Sequence, residues 1–514
     1  MPDHEYVTVK DETRLSALKS NADAVRSVAS AVASTLGPKG LDTMLVDDNH
    51  RVIVTNDGVT ILDRMEISHP AAKMIVNVAK SQQEEVGDGT TTATLLTAAL
   101  VEEGVKQVVK GVPVTKVIAG IDRGIRFALR KMKEKARPIY ELDDEWLQRI
   151  AFTASRENED ITMAVIEAAH LVGREKLLDQ NFKLADCIIA HPRVDNSVFS
   201  GMVINRQRMN QQMPRKKDHT RVLVLSDALE PDSAEKNGAG EASAKQENVN
   251  EAFYVLLEHL IHLQVGLIVT SKGVDPYAEE VLTDAGVIVV TDVSQADLEE
   301  VAEHTGARIV TRSGLKKSLE ALESTLGSCA GVIDDERLGK LRILGGKGRP
   351  MATLIVGAQT EEVVRERERI AKDAASAVQA AVCGGFLPGG GAVELALARD
   401  VERFRDMVQG MERFGVSVVA ECLERPMSQV VANAGFNPLE KIEAVKALQM
   451  KRQSDSLGID CDRGTIVDMV EMGVVDPLPV KANALKTAGE VAVAILRIHT
   501  IVKMKPVPIP EQSG

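Results

Sequence analysis

The sequence predicts a multidomain α and α/β protein, with helical-bundle segments at both ends of the chain flanking an alternating strand–helix middle. Three observations carry this. Long apolar stripes at helical spacing fill the first part of the chain, short apolar runs alternate with helical ones between about residues 250 and 312, and long helix returns from residue 360. A length of 514 residues with 44% hydrophobic content suits roughly three domains. The order bundle, α/β, bundle predicts a discontinuous outer domain with the middle inserted into it.

Residues 12–36 place Leu15, Leu18, Ala22, Val25, Ala29, Val32 and Leu36 on one helical stripe, which stops at Gly37-Pro38. TMLVDDNHRVIVTNDG then reads as a hairpin around Asp47-Asp48-Asn49, ending in an Asp-Gly turn at Asp57-Gly58. Two strands alone are marginal, so the hairpin wants another strand. YVTV near Tyr6 and IVKMKPVPI near Ile501 are the candidates, from this or a neighbouring copy. Helices follow over 70–86, 90–110 and 115–136, and the pattern weakens at Arg137-Pro138. Short strands (CIIAH, MVIN, VLVLSD) replace helices between 184 and 227, after which GLIVTS, VIVVTD and ARIVT alternate with helical runs. The polar stretch 227–250 interrupts a βα connection that ordinarily needs few residues. It reads either as a surface loop or as an excursion that orders against a partner.

Composition excludes several classes. No apolar run approaches the roughly 18 residues of a membrane span, and MPDHEYVTVKDETRL lacks a basic start and an apolar stretch, so a cytoplasmic location is expected. The five cysteines are scattered without metal-ligand spacing, which predicts reduced thiols and no structural zinc. A net charge of −13 and 3% aromatics, with Trp146 the only tryptophan, argue against a nucleic-acid binder. MPRKKDH around Lys216 reads as a short solvated turn.

Chemistry concentrates in a few glycine- and aspartate-bearing corners. In GDGTTT, Asp88 lies between two glycines and Thr90, Thr91 and Thr92 open a helix, where hydroxyls and amides meet the positive end of the dipole. One threonine simply capping the helix explains this stretch about as well. LGPKG (36–40) ends a helix with a loop able to present amides, and NDGVT puts Asp57 on a tight turn. IAKDAASAV carries Asp373 on a helix that leads to LPGGGA, and VVDPLPVK places Asp476 before another helix. Taken singly, Asp57 is a turn residue and Asp476 a helix cap. Neither a GxxxxGK[ST] loop nor a GxGxxG fingerprint occurs, and LGGKGRP near Lys347 has the wrong spacing.

The ordered set LGPKG, TNDGVTIL, GDGTTTATLL, KDAASAV with PGGGAVE, and GVVDPLPVK resembles the chaperonins, from about residue 5 to 505. Within them the chain is more similar to the group II type, the thermosome and cytosolic ring family. Two departures stand out. FTASREN occupies the place of the Gly-Lys-Gly element usual in group II, leaving Ser155 or Arg156 to replace its lysine, and the lid stretch lacks the usual amphipathic helix. The mixture resembles a divergent bacterial branch of group II-like chaperonins.

This resemblance implies a chaperonin fold: a helical equatorial bundle (1–137 and 385–514), a small intermediate domain (138–201 and 351–384), and an α/β apical domain (202–350) with a lid insertion near 227–250. It implies an ATP hydrolase working with Mg²⁺ and leaves a need for K⁺ open. Asp88 would hold the metal, with Gly89, Thr90, Thr91 and Thr92 on the phosphates. Leu36, Gly37, Pro38, Gly40 and Gly58 would line the phosphate and ribose side, and Gly390 and Asp476 the ribose and adenine. Asp57 and Asp373 would orient and activate the attacking water. The implied partners are non-native polypeptides and further copies in two stacked rings of a homo-oligomer, without nucleic acid, membrane or separate co-chaperonin. First contact with clients is expected through the helix bearing Leu298 and Val301, unless these pack against the local sheet. A scaffold subunit with little turnover is the alternative, and a small-molecule kinase a third reading.

Overall fold

A computed structural model describes the backbone of residues 3–46, 50, 52–231 and 242–500, and side chains for the same residues except 3–14, 242–249 and 362. Contacts between Cα atoms divide the chain into two compact units. One comprises the residues through Thr153 together with those from Ser376 onward; the other is Ala154–Ala375. The strands, in chain order, are the hairpin pair β1 (Thr43–Val46) and β2 (Val52–Thr55), then β3 (Ile188–Pro192), β4 (Ser197–Ile204), β5 (Lys216–Leu225), β6 (Val265–Thr270), β7 (Ile288–Val290), β8 (Gly327–Asp335), β9 (Lys340–Gly346) and β10 (Ala352–Ala358). Four short strands close the series: β11 (Phe386–Pro388), β12 (Leu457–Ile459), β13 (Ile466–Asp468) and β14 (Val475–Pro477).

The first unit is a helical bundle. Its core joins Val25, Ile75, Leu100 and Ile121 from the N-terminal part to Leu397, Val419, Leu485 and Leu496 from the C-terminal part, all buried in one cluster. The two terminal bundles therefore form a single body, because neither set of apolar stripes is covered without the other. β1 and β2 pair antiparallel, Met44 opposite Val54. Two expectations fail here. YVTV lies in the helix Asp3–Ala33 and supplies no strand; the strand preference of β-branched residues yields to the helix that runs through them. Asp57-Gly58, expected as a tight turn after the hairpin, is a helix start, since Asp57 caps the helix Gly58–Arg64. The candidate strand near Ile501 lies outside the described residues.

The second unit is built on an eight-stranded mixed sheet in the order β3-β10-β4-β9-β8-β5-β6-β7. β5, β6 and β7 are parallel and form the α/β portion, with the helices Ala242–His262 and Pro276–Asp284 as crossovers. Strand alternation divides the core: Leu223, Leu225 and Ile268 face one cluster, while Val222, Val224, Leu267 and Val269 face the other. Leu298 and Val301, expected to meet clients, are fully buried in the second cluster and are sheet-packing residues. ARIVT contributes only a bridge between Val310 and Leu225. MPRKKDH is no turn, because Lys216 already begins β5.

The start of the polar segment 227–250 is anchored. Asp227 pairs with Lys272 at 3.0 Å, Leu229 is fully buried, and the helix Ala242–His262 takes up the last residues. The remainder of the expected lid, 232–241, lies outside the described residues. No helix among the described residues is long and apolar enough to cross a membrane.

Candidate functional site

The corner EEVGDGTTT joins the helix Pro70–Val86 to the helix Thr90–Val109. Gly89 is the N-cap of the second helix at φ +79°, a left-handed conformation that glycine adopts without strain, and no side chain caps that helix. The simple capping explanation for the threonines is thereby removed: the first-turn amides and the Thr90–Thr92 hydroxyls stand at an uncapped positive helix end. Asp88 Oδ1 accepts the Gly89 N–H at 2.6 Å. Fully buried Gln82 fixes the corner from behind, its Nε2 donating to Asp88 O at 2.7 Å and to Val480 O at 3.0 Å.

That second bond ties GDGTTT to VVDPLPVK. NDGVT adjoins the same corner, since a Cβ on Gly58 would stand 2.6 Å from Thr91 Oγ1 and 3.2 Å from Thr90 Oγ1. A side chain there would press on both hydroxyls. Asp57 Oδ2 accepts from Thr60 N at 2.8 Å and from Thr60 Oγ1 at 2.6 Å, so its cap role is real. Asp476 is not a cap: it sits in β14 opposite Leu387 of β11, which brings LPGGGA alongside VVDPLPVK. The helices that follow these strands, Ala392–Met407 after Gly391 and Leu478–Arg497 after Pro477, also begin without a side-chain cap.

LGPKG is bound into the same unit by Asn433, whose Nδ2 donates to Ala33 O at 2.9 Å and to Leu36 O at 2.8 Å. Asn433 ends the helix Arg425–Asn433; Met427 and Val431 of that helix pack with Ala392 and Leu395 behind the glycine loop. Lys39 extends from LGPKG to Asp462 at 2.5 Å. Leu36, Gly37, Pro38, Gly40, Asp57, Gly58, Asp88, Gly89, Thr90, Thr91, Thr92, Gly390 and Asp476 thus all lie in one unit, on segments tied directly or through one intervening element. Asp373 belongs to the other unit, where its Oδ2 accepts from Arg369 at 2.7 Å.

Beneath β11 and β14 lies a group whose role sequence reading missed. Lys481 Nζ is 2.5 Å from Glu394 Oε1 and 2.8 Å from Asp476 Oδ2, and the Lys481 and Glu394 side chains are only 8% and 3% exposed. Burial alone would lower the lysine pKa; the charges of Asp476 and Glu394 and their hydrogen bonds outweigh it and raise it. Both residues were in view, as the last letters of VVDPLPVK and PGGGAVE, but nothing local indicates that they meet. Gln82 and Asn433 had no motif to signal them. Ser155 is fully buried and shares a 2.7 Å hydrogen bond with Thr162, while Arg156 Nη1 donates to Glu366 Oε1 at 3.0 Å.

The start of Thr90–Val109, capped by glycine alone and carrying three threonine hydroxyls, has the chemistry of a phosphate site and favours an anion. At the starts of the other two helices, by contrast, Ala392 N and Leu478 N already donate to Gly389 O and Gly385 O. No group of three or more His, Cys, Asp or Glu able to hold a metal occurs among the described residues. Mg²⁺ bound through one carboxylate, phosphate oxygens and water requires none.

Comparison with known proteins agrees with this architecture. The family model described as TCP-1/cpn60 chaperonin family matches residues 28–506. A thermosome subunit of Methanocaldococcus jannaschii is 31% identical over 97% of this chain and 94% of its own length. The thermosome subunit alpha of Thermoplasma acidophilum is 33% identical over 97% and 93%. A group III chaperonin crystallised in the open state is 42% identical, covers 96% of this chain and 100% of its own, and superposes with a TM-score of 0.83. The identity to that structure exceeds the identity to either thermosome subunit. The uncapped helix ends, their glycine corners and the matches across almost the whole chain lead to one conclusion: the chain belongs to the TCP-1/cpn60 chaperonin family, with the chaperonin fold and a role in protein folding.

Proposed function

We propose that this chaperonin hydrolyses ATP to drive the enclosure of non-native proteins in a double ring of identical subunits in the cytoplasm. The observation that carries the ATP reading is that GDGTTT, NDGVT, LGPKG, PGGGA and VVDPLPVK fall within one unit, with the uncapped GDGTTT helix start bonded to VVDPLPVK and adjoining NDGVT. Gly89 and Thr90–Thr92 would bind phosphate oxygens, Asp88 would hold Mg²⁺, and LGPKG with Gly58 would line the phosphate and ribose side. Gly390 and Asp476 would take the ribose and adenine. When bound, Mg²⁺ neutralises charge on the phosphate oxygens. Asp57 and Asp373 would orient the attacking water, one of the two carboxylates taking its proton as the bond from the γ-phosphoryl group to ADP breaks. Because Asp373 belongs to the second unit, turnover is tied to that unit's movement, which makes hydrolysis conditional on closure.

Ring assembly is supported by the hairpin, where Met44, Val46 and Val54 are 65%, 59% and 56% exposed. β1 and β2 pair only with each other among the described residues, so both outer edges can accept another strand. Client capture in place of Leu298 and Val301 falls to Tyr254, Val255 and Ile261 on the helix Ala242–His262 and to Tyr277, all exposed; the Tyr254 and Tyr277 rings are 4.4 Å apart. Non-native chains expose the apolar surface that such a patch binds. The domain boundaries at 137, 201, 350 and 384, and a built-in lid from 227–250, belong to the same proposal.

Electron microscopy of the protein alone, with and without ATP and aluminium fluoride, tests assembly and closure. Rings that close without added protein are expected; rings that hydrolyse ATP but stay open overturn the built-in lid. For catalysis, Asp373→Ala is expected to retain ATP binding and lose most turnover, whereas wild-type turnover removes the role assigned to Asp373. Wild-type protein that binds ATP without hydrolysing it establishes the scaffold reading instead.

A further inference from the structure

Four charged residues of the second unit form a continuous chain that ends on Asp373. Glu366, Arg369 and Asp373 lie at i, i+3 and i+7 on the helix Glu361–Gly384 and share one face. The Arg369 guanidinium uses all three nitrogens: Nε donates to Glu366 Oε2 at 3.1 Å, Nη2 to Glu366 Oε1 at 2.7 Å, and Nη1 to Asp373 Oδ2 at 2.7 Å. Its side chain is 21% exposed and that of Asp373 19%. The fork is therefore anchored at one end by a bidentate pair and presents its remaining nitrogen to the carboxylate.

Arg156 joins from a different segment, its Nη1 donating to Glu366 Oε1 at 3.0 Å. The backbone that delivers it is unusual. Arg156 and Glu157 are consecutive non-glycine residues at φ +54° and +62°, a left-handed conformation that side chains disfavour and that persists only where the surroundings impose it. Asn158 helps to impose it, its Nδ2 donating to Ser155 O at 2.8 Å, and Ser155 is locked to Thr162. A purely solvated surface arginine requires no such turn. The strain is spent placing one guanidinium on Glu366, whose other partner is the arginine that holds Asp373.

We propose that Arg369, anchored by Glu366 and through it by Arg156, is a positioning residue that sets the orientation of the Asp373 carboxylate for ATP hydrolysis. This rests on the reading of Asp373 as the residue that orients the attacking water. Arg369 fixes the carboxylate; Glu366 fixes Arg369; Arg156 limits the freedom of Glu366. Lysine cannot reproduce the arrangement, because an ammonium lacks the planar fork that binds both oxygens of Glu366 while reaching Asp373. FTASREN, which departs from the Gly-Lys-Gly element of group II, thereby gains a task within its own unit.

The test is steady-state ATP hydrolysis by the assembled full-length protein with Arg369→Met, Arg369→Lys, Glu366→Gln, Arg156→Met, Asp373→Ala and the double variant Arg369→Met/Asp373→Ala. Misplacing a reacting group by about 1 Å costs up to roughly a hundredfold in rate, so Arg369→Met is expected to lower kcat by ten- to a hundredfold with KM for ATP within about twofold. Arg369→Lys and Glu366→Gln fall between, and Arg156→Met loses the least. In the Asp373→Ala background the further loss on Arg369→Met disappears, since both act through one carboxylate. Ring size and melting temperature, measured on every variant, identify general damage, which would persist in that background. If Asp373→Ala lowers turnover but Arg369→Met leaves kcat unchanged, or if the two losses multiply, the positioning role is overturned. If Asp373→Ala itself has wild-type kcat, the underlying reading fails instead, which is a distinct result.

Discussion

Replacing Lys481 with methionine removes the ammonium from between Glu394 and Asp476 while keeping most of the side-chain volume. At 2.5 Å and 2.8 Å, and with an effective dielectric near 20, each contact is worth roughly 6 kcal/mol of attraction. Burying the ions offsets much of that, so the intact group contributes little net stability, yet breaking it costs about 3–5 kcal/mol because a carboxylate is left buried without a counter-charge. At about 2 °C per kcal/mol for a body of this size, the apparent Tm at fixed scan rate should fall by roughly 6–10 °C. The raised pKa of Lys481 keeps it protonated below its ordinary 10.5. Its stabilisation is therefore complete at neutral pH and is lost only in strong alkali, as pH rises through the folded value. Adding Glu394→Gln should recover most of the loss. ATP affinity, measured by calorimetry, should weaken as well, because Asp476 loses its anchor. An unchanged Tm and ATP affinity at pH 7 would refute the reasoning.

Three further outcomes follow from the packing. Leu298→Ala should cost about 2–5 kcal/mol, seen as a lower denaturant midpoint, with client capture unchanged when compared at equal folded fraction; selective loss of capture would restore the role in client binding. Val54→Lys should leave the subunit folded, because the side chain is exposed, while light scattering shows loss of rings; intact rings would remove the hairpin from assembly. Gly120→Ala would place a methyl 2.6 Å from Gly415 Cα and 2.9 Å from Val416 N, where the helices Val114–Lys135 and Glu412–Leu423 meet. Overpacking of about 1–3 kcal/mol outweighs the roughly 1 kcal/mol gain in helix propensity, so Tm should fall, and a rise would contradict the assigned crossing.

Much of this protein is written in local terms. The stripe from Leu15 to Val32, the breaks at Gly37 and Gly87, and the Ala-rich helix carrying Asp373 follow from periodicity and backbone freedom within a few turns, which a sequence records directly. GDGTTT was legible for the same reason, since a glycine N-cap and a hydroxyl-rich first turn are properties of consecutive residues. The tertiary structure decided the rest. It made one body of the two helical ends, buried Leu298 and Val301, drew YVTV into a helix, and joined Lys481 to Glu394 and Arg156 to Glu366 across 87 and 210 positions of chain. Such pairings depend on which elements collapse together, and a buried charge is stable only opposite the partner that this collapse supplies.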